Sequence, residues 1–174
     1  MKPHQLTVRF DPPPAPKKSG GLYTEAERAR RDASVWTFVQ GILAPLQFLV
    51  FLVSLALVLW CLATGEGAFA AAASVVVKTL VLYAIMITGS IWEKVVFGRY
   101  LFAPAFFWED VVSMLVLALH TLYLAMLLLG LGTVTEQLAV ALAAYASYAV
   151  NATQFLLKLR AARLERPSYS PVAS

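Results

Sequence analysis

Hydrophobic positions along the chain fall into four long runs separated by short polar breaks. A run of about 20 apolar residues is long enough to cross the hydrocarbon core of a bilayer. The composition, 60% hydrophobic and 14% charged, excludes an ordinary soluble domain. The fold class is therefore predicted to be all-α, a polytopic integral membrane bundle of four transmembrane helices. The predicted spans are about 37–63, 70–92, 111–131 and 136–157.

Both ends of the chain are polar. Residues 1–21 are rich in proline, glycine and charge and are predicted to form a disordered tail. Residues 166–174 form a short C-terminal tail, which leaves 22–165 as the membrane domain. Thr24 followed by Glu27 matches a capping box and predicts a short helix on the membrane surface before the first span.

Lysine and arginine are distributed unevenly between the breaks. Seven precede the first predicted span, four follow the last, two lie in the middle break, and the two short turns have none. Cytoplasmic loops carry this excess, so both termini and the middle loop are predicted to be cytoplasmic. The same bias explains the net charge of +4, so no nucleic-acid partner is expected. Membrane lipid is the expected partner of the apolar surface.

The break between the second and third spans, residues 93–109, is the most distinctive stretch. Its internal apolar run is too short to span a membrane and suits an interfacial or re-entrant segment. One interpretation is an aromatic interface belt with solvated charges; the other is a chemical site. With its flanking residues it contains Trp92, Glu93, Lys94, Arg99, Phe106, Phe107, Trp108, Glu109 and Asp110.

Two ionisable side chains lie within the predicted spans. His120 follows Glu109 by eleven residues, or three helical turns, so the two point the same way, with Ser113 between them. His120 is either a functional group or a neutral side chain bonded to a neighbouring helix, and both interpretations stay open. Lys78 is expected to extend to the near interface, or to pair there with Glu66 or Glu136.

Amide side chains occur on two of the predicted helices. Asn151 and Gln154 share a polar stripe with Lys158, and Gln47 lies in the first span. They either hydrogen-bond neighbouring helices or line a polar pocket. With the charged middle stretch they all fall in the predicted cytoplasmic half. This one-sided polarity predicts a pocket open to the cytoplasmic side rather than a pore.

The residue inventory limits the chemistry. There is no glycine-rich phosphate loop, no Cys/His cluster and no nucleophile elbow, so no metal site and no cofactor are expected. Carboxyl groups, one span histidine and many aromatic rings suit acid–base catalysis on a large, flat, hydrophobic substrate. Lys94 or Arg99 is expected to pair with a carboxylate of that substrate.

The sequence resembles the vinyl bacteriochlorophyllide hydratase family of bacteriochlorophyll biosynthesis. The resemblance lies in residues 30–59, 78–125 and 151–165. It implies a hydro-lyase of photosynthetic pigment synthesis that adds water to the C3-vinyl group of a chlorophyllide, giving a 1-hydroxyethyl group. The magnesium belongs to the substrate. The resemblance also implies a bacterial inner membrane, cytoplasmic or intracytoplasmic, and leaves open a homo-oligomer or association with other pigment-biosynthesis enzymes.

The roles of individual residues follow from chemistry alone. Glu109 or Glu93 is the expected acid, and the other carboxylate, or Asp110, activates water. His120 either relays the proton or ligates the magnesium of the substrate. A competing hypothesis is a non-enzymatic tetrapyrrole-binding or assembly subunit that uses the same aromatic rings. The expected substrate contacts are Lys94, Arg99, Trp92, Trp108, Phe106, Phe107, Asn151, Gln154 and Gln47.

Overall fold

The computed structural model describes residues 21–164, and every regular element in that range is an α-helix. The four long helices are each long and apolar enough to cross a membrane, which confirms the prediction of four spans. The predicted tails lie almost wholly outside the described residues. The helices are α1 (Glu25–Ala33), α2 (Val35–Thr64), α3 (Ala68–Phe97), α4 (Phe107–Leu129) and α5 (Val134–Leu164).

The middle break is shorter than predicted. Helix α3 continues to Phe97 and α4 begins at Phe107, so the connection is residues 98–106, hereafter the α3–α4 loop. Glu93 is therefore helical, whereas the sequence analysis placed it in a loop. The reason is that charge at a membrane interface does not end a helix. Gly98 does, with a left-handed φ of 80° that favours glycine at this position.

The spans form antiparallel neighbours, α2 with α3 and α4 with α5. Polar side chains bond across the first pair: Gln40 Nε2 donates to Thr88 Oγ1 over 2.8 Å, and the hydroxyls of Ser54 and Ser74 lie 2.7 Å apart. Such bonds hold helices together where lipid and core are equally apolar. Gln40 therefore contributes to the packing of α2 against α3.

Large apolar side chains cover the outside of the bundle. Examples are Phe38, Leu80, Leu128 and Leu156, all of which are strongly exposed. The interior, by contrast, holds buried polar groups among small and aromatic residues. This distribution suits a bundle that faces lipid, because a membrane protein keeps its ionisable groups inside.

Helix α1 is fixed to the bundle at the end where the α3–α4 loop lies. Both hydrogen bonds of the predicted capping box are present, between Thr24 and Glu27. Arg30 Nε donates to the Val96 carbonyl over 2.8 Å, and the Tyr23 ring stacks on Phe97. This end of the bundle, the loop end, therefore combines a surface helix, the α3–α4 loop and the ends of all four spans.

Lys78 contradicts its prediction. Its side chain is fully buried, and its Nζ lies 3.7 Å from the centre of the Tyr148 ring. The Nζ has no hydrogen-bond partner among the described residues, so it is paired with neither Glu66 nor Glu136. Helix α3 begins ten residues earlier, about 15 Å along the axis, which is too far for the side chain to reach water.

Replacing Ser54 with alanine should destabilise the bundle. Its hydroxyl bonds both Ser74 and the Tyr145 hydroxyl, and so links three spans. Interhelical hydrogen bonds of this kind contribute about 0.6 to 1.7 kcal/mol. Unfolding in mixed micelles should show a loss in that range. Ser90→Ala is the control, because Ser90 bonds only a carbonyl of its own helix, and equal losses in both variants would contradict the interpretation.

Candidate active site

Three carboxyl groups meet beneath the α3–α4 loop. Glu93, Glu109 and Asp110 are 5%, 7% and 3% exposed, although all three lie near helix ends. The side chains of Glu93 and Asp110 face each other closely enough to interact. Two carboxylates held together where little water reaches them repel each other, and a proton shared between them removes that repulsion. The three residues, hereafter the carboxyl cluster, therefore hold a proton where little water reaches them.

The α3–α4 loop is held by the same two carboxyl groups. The Phe102 N–H donates to Asp110 Oδ2 over 2.7 Å, and the Ala103 N–H donates to Glu93 Oε2 over 3.3 Å. Phe102 has a φ of 58°, a left-handed conformation that is strained for a bulky residue. The hydrogen bonds to the pair compensate for that strain, so the loop and the carboxyl cluster form one unit.

Glu109 differs from the other two carboxyl groups because it has a cationic partner. Lys158 Nζ lies 2.6 Å from Glu109 Oε2 in a partly buried ion pair. A carboxylate and an ammonium group at this distance form a charge-assisted hydrogen bond. Lys158 was not among the predicted site residues. Its position on the polar stripe with Asn151 and Gln154 could have indicated a role in the site. The basic residues that follow it instead suggested one more positive charge at the C-terminal end of the last span.

Aromatic rings close the carboxyl cluster on one side, with Phe106 at their centre. The Phe106 ring stacks on Phe155, with centroids 5.8 Å apart, and meets the edge of Trp92 at 5.7 Å. Lys158 Nζ lies 5.0 Å from the same ring. The sequence analysis predicts Phe106 and Trp92 as site residues but not Phe155. Phe155 lies 49 residues after Phe106 in the chain, and its side chain has no polar group that would indicate a site.

Phe107 and Trp108 face outward. They are 44% and 69% exposed, and they pack against each other and Phe102 rather than on the carboxyl cluster. This is the arrangement of an aromatic interface belt. The sequence left open an aromatic interface belt or a chemical site for this stretch. Phe107 and Trp108 lie as a belt would, whereas Phe106 and Trp92 point inward.

The two cations predicted to pair with a substrate carboxylate lie on the surface of the loop end. Lys94 Nζ donates to the Gly98 carbonyl over 2.9 Å and lies 5.2 Å from the centre of the Tyr100 ring. Arg99 is exposed in the α3–α4 loop. Both side chains are therefore exposed at the loop end and are not part of the carboxyl cluster.

Amide side chains form the next layer into the bundle. Ser113 lies one turn, about 6 Å, beyond Glu109 and accepts a 2.7 Å hydrogen bond from Asn151 Nδ2. Among the described residues, Asn151 Oδ1, Gln154 Oε1 and both polar atoms of Gln47 are buried without a hydrogen-bond partner. Buried polar atoms normally bond to protein or to ordered water, so this layer is suited to bind polar molecules.

His120 is buried on the same face of α4 as Glu109 and Ser113, as the spacing predicts. Its Nδ1 lies 2.8 Å from the Val116 carbonyl, and its ring centroid is 5.8 Å from that of Tyr145. The rise from Glu109 to His120 is about 16 Å. His120 is thus in the middle of the bundle and is not part of the carboxyl cluster.

Comparison with known proteins identifies the family. The family described as 2-vinyl bacteriochlorophyllide hydratase (BCHF) matches residues 23–161. A 2-vinyl bacteriochlorophyllide hydratase of Cereibacter sphaeroides is 66% identical over 153 residues, covering 88% of this chain and 94% of the relative. A protein of the same name from Rhodobacter capsulatus is 65% identical over 147 residues, covering 84% of the chain and 85% of the relative. The chain belongs to the 2-vinyl bacteriochlorophyllide hydratase family.

The resemblance noted from the sequence is thereby confirmed. The family match includes the carboxyl cluster, the α3–α4 loop and Lys158, and it ends three residues before helix α5 does. No solved structure matches the chain. The carboxyl cluster, the amide layer and the α3–α4 loop are therefore the arrangement of polar groups in a member of the 2-vinyl bacteriochlorophyllide hydratase family.

The tie between Asp110 and the loop gives a direct test. Asp110→Ala removes the acceptor of the Phe102 N–H, so the strained loop should open and its amides should exchange faster. Hydrogen–deuterium exchange of peptides covering residues 98–106 should increase, while peptides from the middle of α2 keep their protection. Glu66→Ala, in the turn at the opposite end, is the control. Unchanged exchange in the loop would show that the hydrogen bond does not hold it.

Proposed function

We propose that this protein adds water to the vinyl group of a chlorophyllide-type substrate and converts it to a 1-hydroxyethyl group. The names of its relatives support the substrate and the reaction. The observation that carries the proposal is the carboxyl cluster, in which a proton-sharing pair lies beside an ionised carboxylate. Hydration of an alkene needs these two functions, an acid for carbon and a base for water.

The acid in this proposal is the Glu93–Asp110 pair. Its shared proton passes to the terminal vinyl carbon, and the π electrons of the vinyl group form the new C–H bond. The positive charge that remains on the inner carbon is conjugated with the macrocycle. An environment with little water keeps a carboxyl group protonated near neutral pH, so the pair suits the role of donor.

The base in this proposal is Glu109. It forms an ion pair with Lys158, and it accepts a proton from water as the water oxygen bonds to the inner carbon. The proton then returns from Glu109 to the neighbouring pair, which restores the starting state. Water is added and no electrons are exchanged, so the reaction needs no redox cofactor. The magnesium stays in the substrate.

The spacing argues against one of the two roles left open for His120. A vinyl group is joined to the rim of the macrocycle, only a few bonds from the central metal. His120 lies about 16 Å along the helix from Glu109. One substrate molecule therefore does not reach both the carboxyl cluster with its vinyl group and His120 with its magnesium. We assign the vinyl chemistry to the carboxyl cluster.

The proposed site opens to the cytoplasmic leaflet of a bacterial inner membrane. The lysine and arginine distribution supports this orientation, with both termini and the α3–α4 loop on the cytoplasmic side. A flat hydrophobic substrate would enter from the membrane interface, with its macrocycle against Phe106 and Trp92. Lys94 and Arg99, at the surface of the same end, suit its carboxylate.

One experiment separates a hydratase from a pigment-binding subunit. Membranes that contain this protein and no other pigment-biosynthesis enzyme receive a vinyl chlorophyllide in ¹⁸O-water. Mass spectrometry should find the product with one ¹⁸O in its hydroxyethyl group. Recovery of unchanged substrate that co-purifies with the protein would reject hydration and support the binding alternative.

Glu109→Gln should remove the base without changing the shape of the side chain. A positioned acid or base typically contributes a factor of about 10² to 10⁴, so the rate of hydration should fall by at least about 10². The amount of folded protein in the membrane should stay normal. Glu66→Gln, in the exposed turn between α2 and α3, is the matched control. Near-normal turnover of the Glu109 variant would exclude Glu109 from the mechanism.

A further inference from the structure

A second group of buried polar side chains lies in the middle of the bundle, away from the carboxyl cluster. It consists of Lys78, His120, Tyr123, Tyr145 and Tyr148, hereafter the central cluster. All five are buried, and the first three are fully so. They come from α3, α4 and α5, and the Tyr145 hydroxyl adds a hydrogen bond to Ser54 of α2. Every span therefore contributes to this place.

The tautomer of His120 follows from its one hydrogen bond. Nδ1 lies 2.8 Å from the Val116 carbonyl, which can only accept, so Nδ1 carries the hydrogen. In a neutral ring Nε2 then presents a lone pair. Among the described residues this Nε2 has no hydrogen-bond partner, although the ring is fully buried. His120 thus offers an unused acceptor to the interior.

Lys78 and Tyr123 offer unused donors beside it. Lys78 Nζ lies over the Tyr148 ring, whose face attracts a cation but leaves the N–H groups unbonded. The Tyr123 hydroxyl also has no partner among residues 21–164. Lys78 packs on the Tyr148 ring and His120 packs on the Tyr145 ring, one turn away on α5, and neither group forms a hydrogen bond with the other. A buried polar group without a hydrogen-bond partner is unfavourable, so three such groups together call for a bound molecule.

The chemistry of the three groups selects that molecule. An anion would suit the donors of Lys78 and Tyr123, but it would be repelled by the lone pair of His120 Nε2. A cation would suit Nε2 and be repelled by the ammonium group. A small neutral molecule that both accepts and donates satisfies all three, and water is the molecule that proteins bury for this purpose.

We propose that the central cluster is a binding site for internal water, which accepts from Lys78 Nζ and donates to His120 Nε2. The site continues towards the carboxyl cluster, because Gln47, Asn151 and Gln154 offer further unbonded atoms in the layer between them. Water held along this line reaches Glu109 from inside the bundle. This last role, supply of the water that is added to the vinyl group, rests on the proposed function.

Radiolytic labelling tests the site without reference to hydration. Short X-ray pulses convert bound water to hydroxyl radicals, which oxidise the adjacent side chains. In the full-length protein in lipid nanodiscs, His120 and Tyr123 should be oxidised several-fold faster than Phe51, a buried aromatic residue whose side chain has no polar atom. In ¹⁸O-water the added oxygen should carry the label. Rates no higher than that of Phe51 would overturn the proposal.

Variants make the test specific. Lys78→Met keeps the length of the side chain but removes the donor, so oxidation of Tyr123 should fall to the rate of Phe51. Lys158→Met, the same change at the carboxyl cluster, should leave Tyr123 oxidation unchanged. Equal oxidation of Tyr123 in the wild type and in Lys78→Met would overturn the site.

The supply role has its own readout. Lys78→Met should lower kcat for hydration and leave KM for the chlorophyllide unchanged, because the residue does not touch the substrate. Wild-type kcat in this variant would overturn the supply role. Glu109→Gln separates this inference from the proposed function, since it should lower turnover by at least about 10² while Tyr123 oxidation persists.

Discussion

The contact between the carboxyl groups of Glu93 and Asp110 is the interaction on which the loop end depends. Two carboxyl groups can lie together in an apolar bundle only if they share a proton, because two buried negative charges would repel each other strongly. The pair in turn fixes the backbone of the α3–α4 loop. The loop leads directly to Phe106, and that ring contacts Tyr23 just before α1, Trp92 of α3 and Phe155 of α5.

The interior is organised as layers of different chemistry along the bundle axis. Charged and proton-sharing groups occupy the loop end, amides and Ser113 follow, and the central cluster lies deepest. Beyond it the interior is mainly small and apolar, with Ala71, Ala141 and Leu138 buried. Such a gradient suits a site that receives its ligand from one side of a membrane, whereas a pore needs polar groups along its whole length.

The sequence was sufficient for the four spans because hydropathy depends on composition alone. It failed where the answer depends on a distant partner. Lys78 is buried against the ring of Tyr148, which lies 70 residues later in the chain. No pattern in the sequence near Lys78 predicts that contact. Phe106 and Trp108 are two residues apart, yet one faces inward and the other outward. Their direction depends on where α4 begins, and helix boundaries are the least certain part of a sequence-based prediction.

The hydrogen bonds of the α3–α4 loop end on the same carboxyl pair that holds the shared proton. A fully ionised carboxylate accepts hydrogen bonds more strongly than a protonated one. Loss of the proton would therefore strengthen the hydrogen bonds from the N–H groups of Phe102 and Ala103, and return of the proton would weaken them. In the proposed mechanism, the α3–α4 loop would then be held most firmly while the carbocation exists and less firmly once the alcohol has formed.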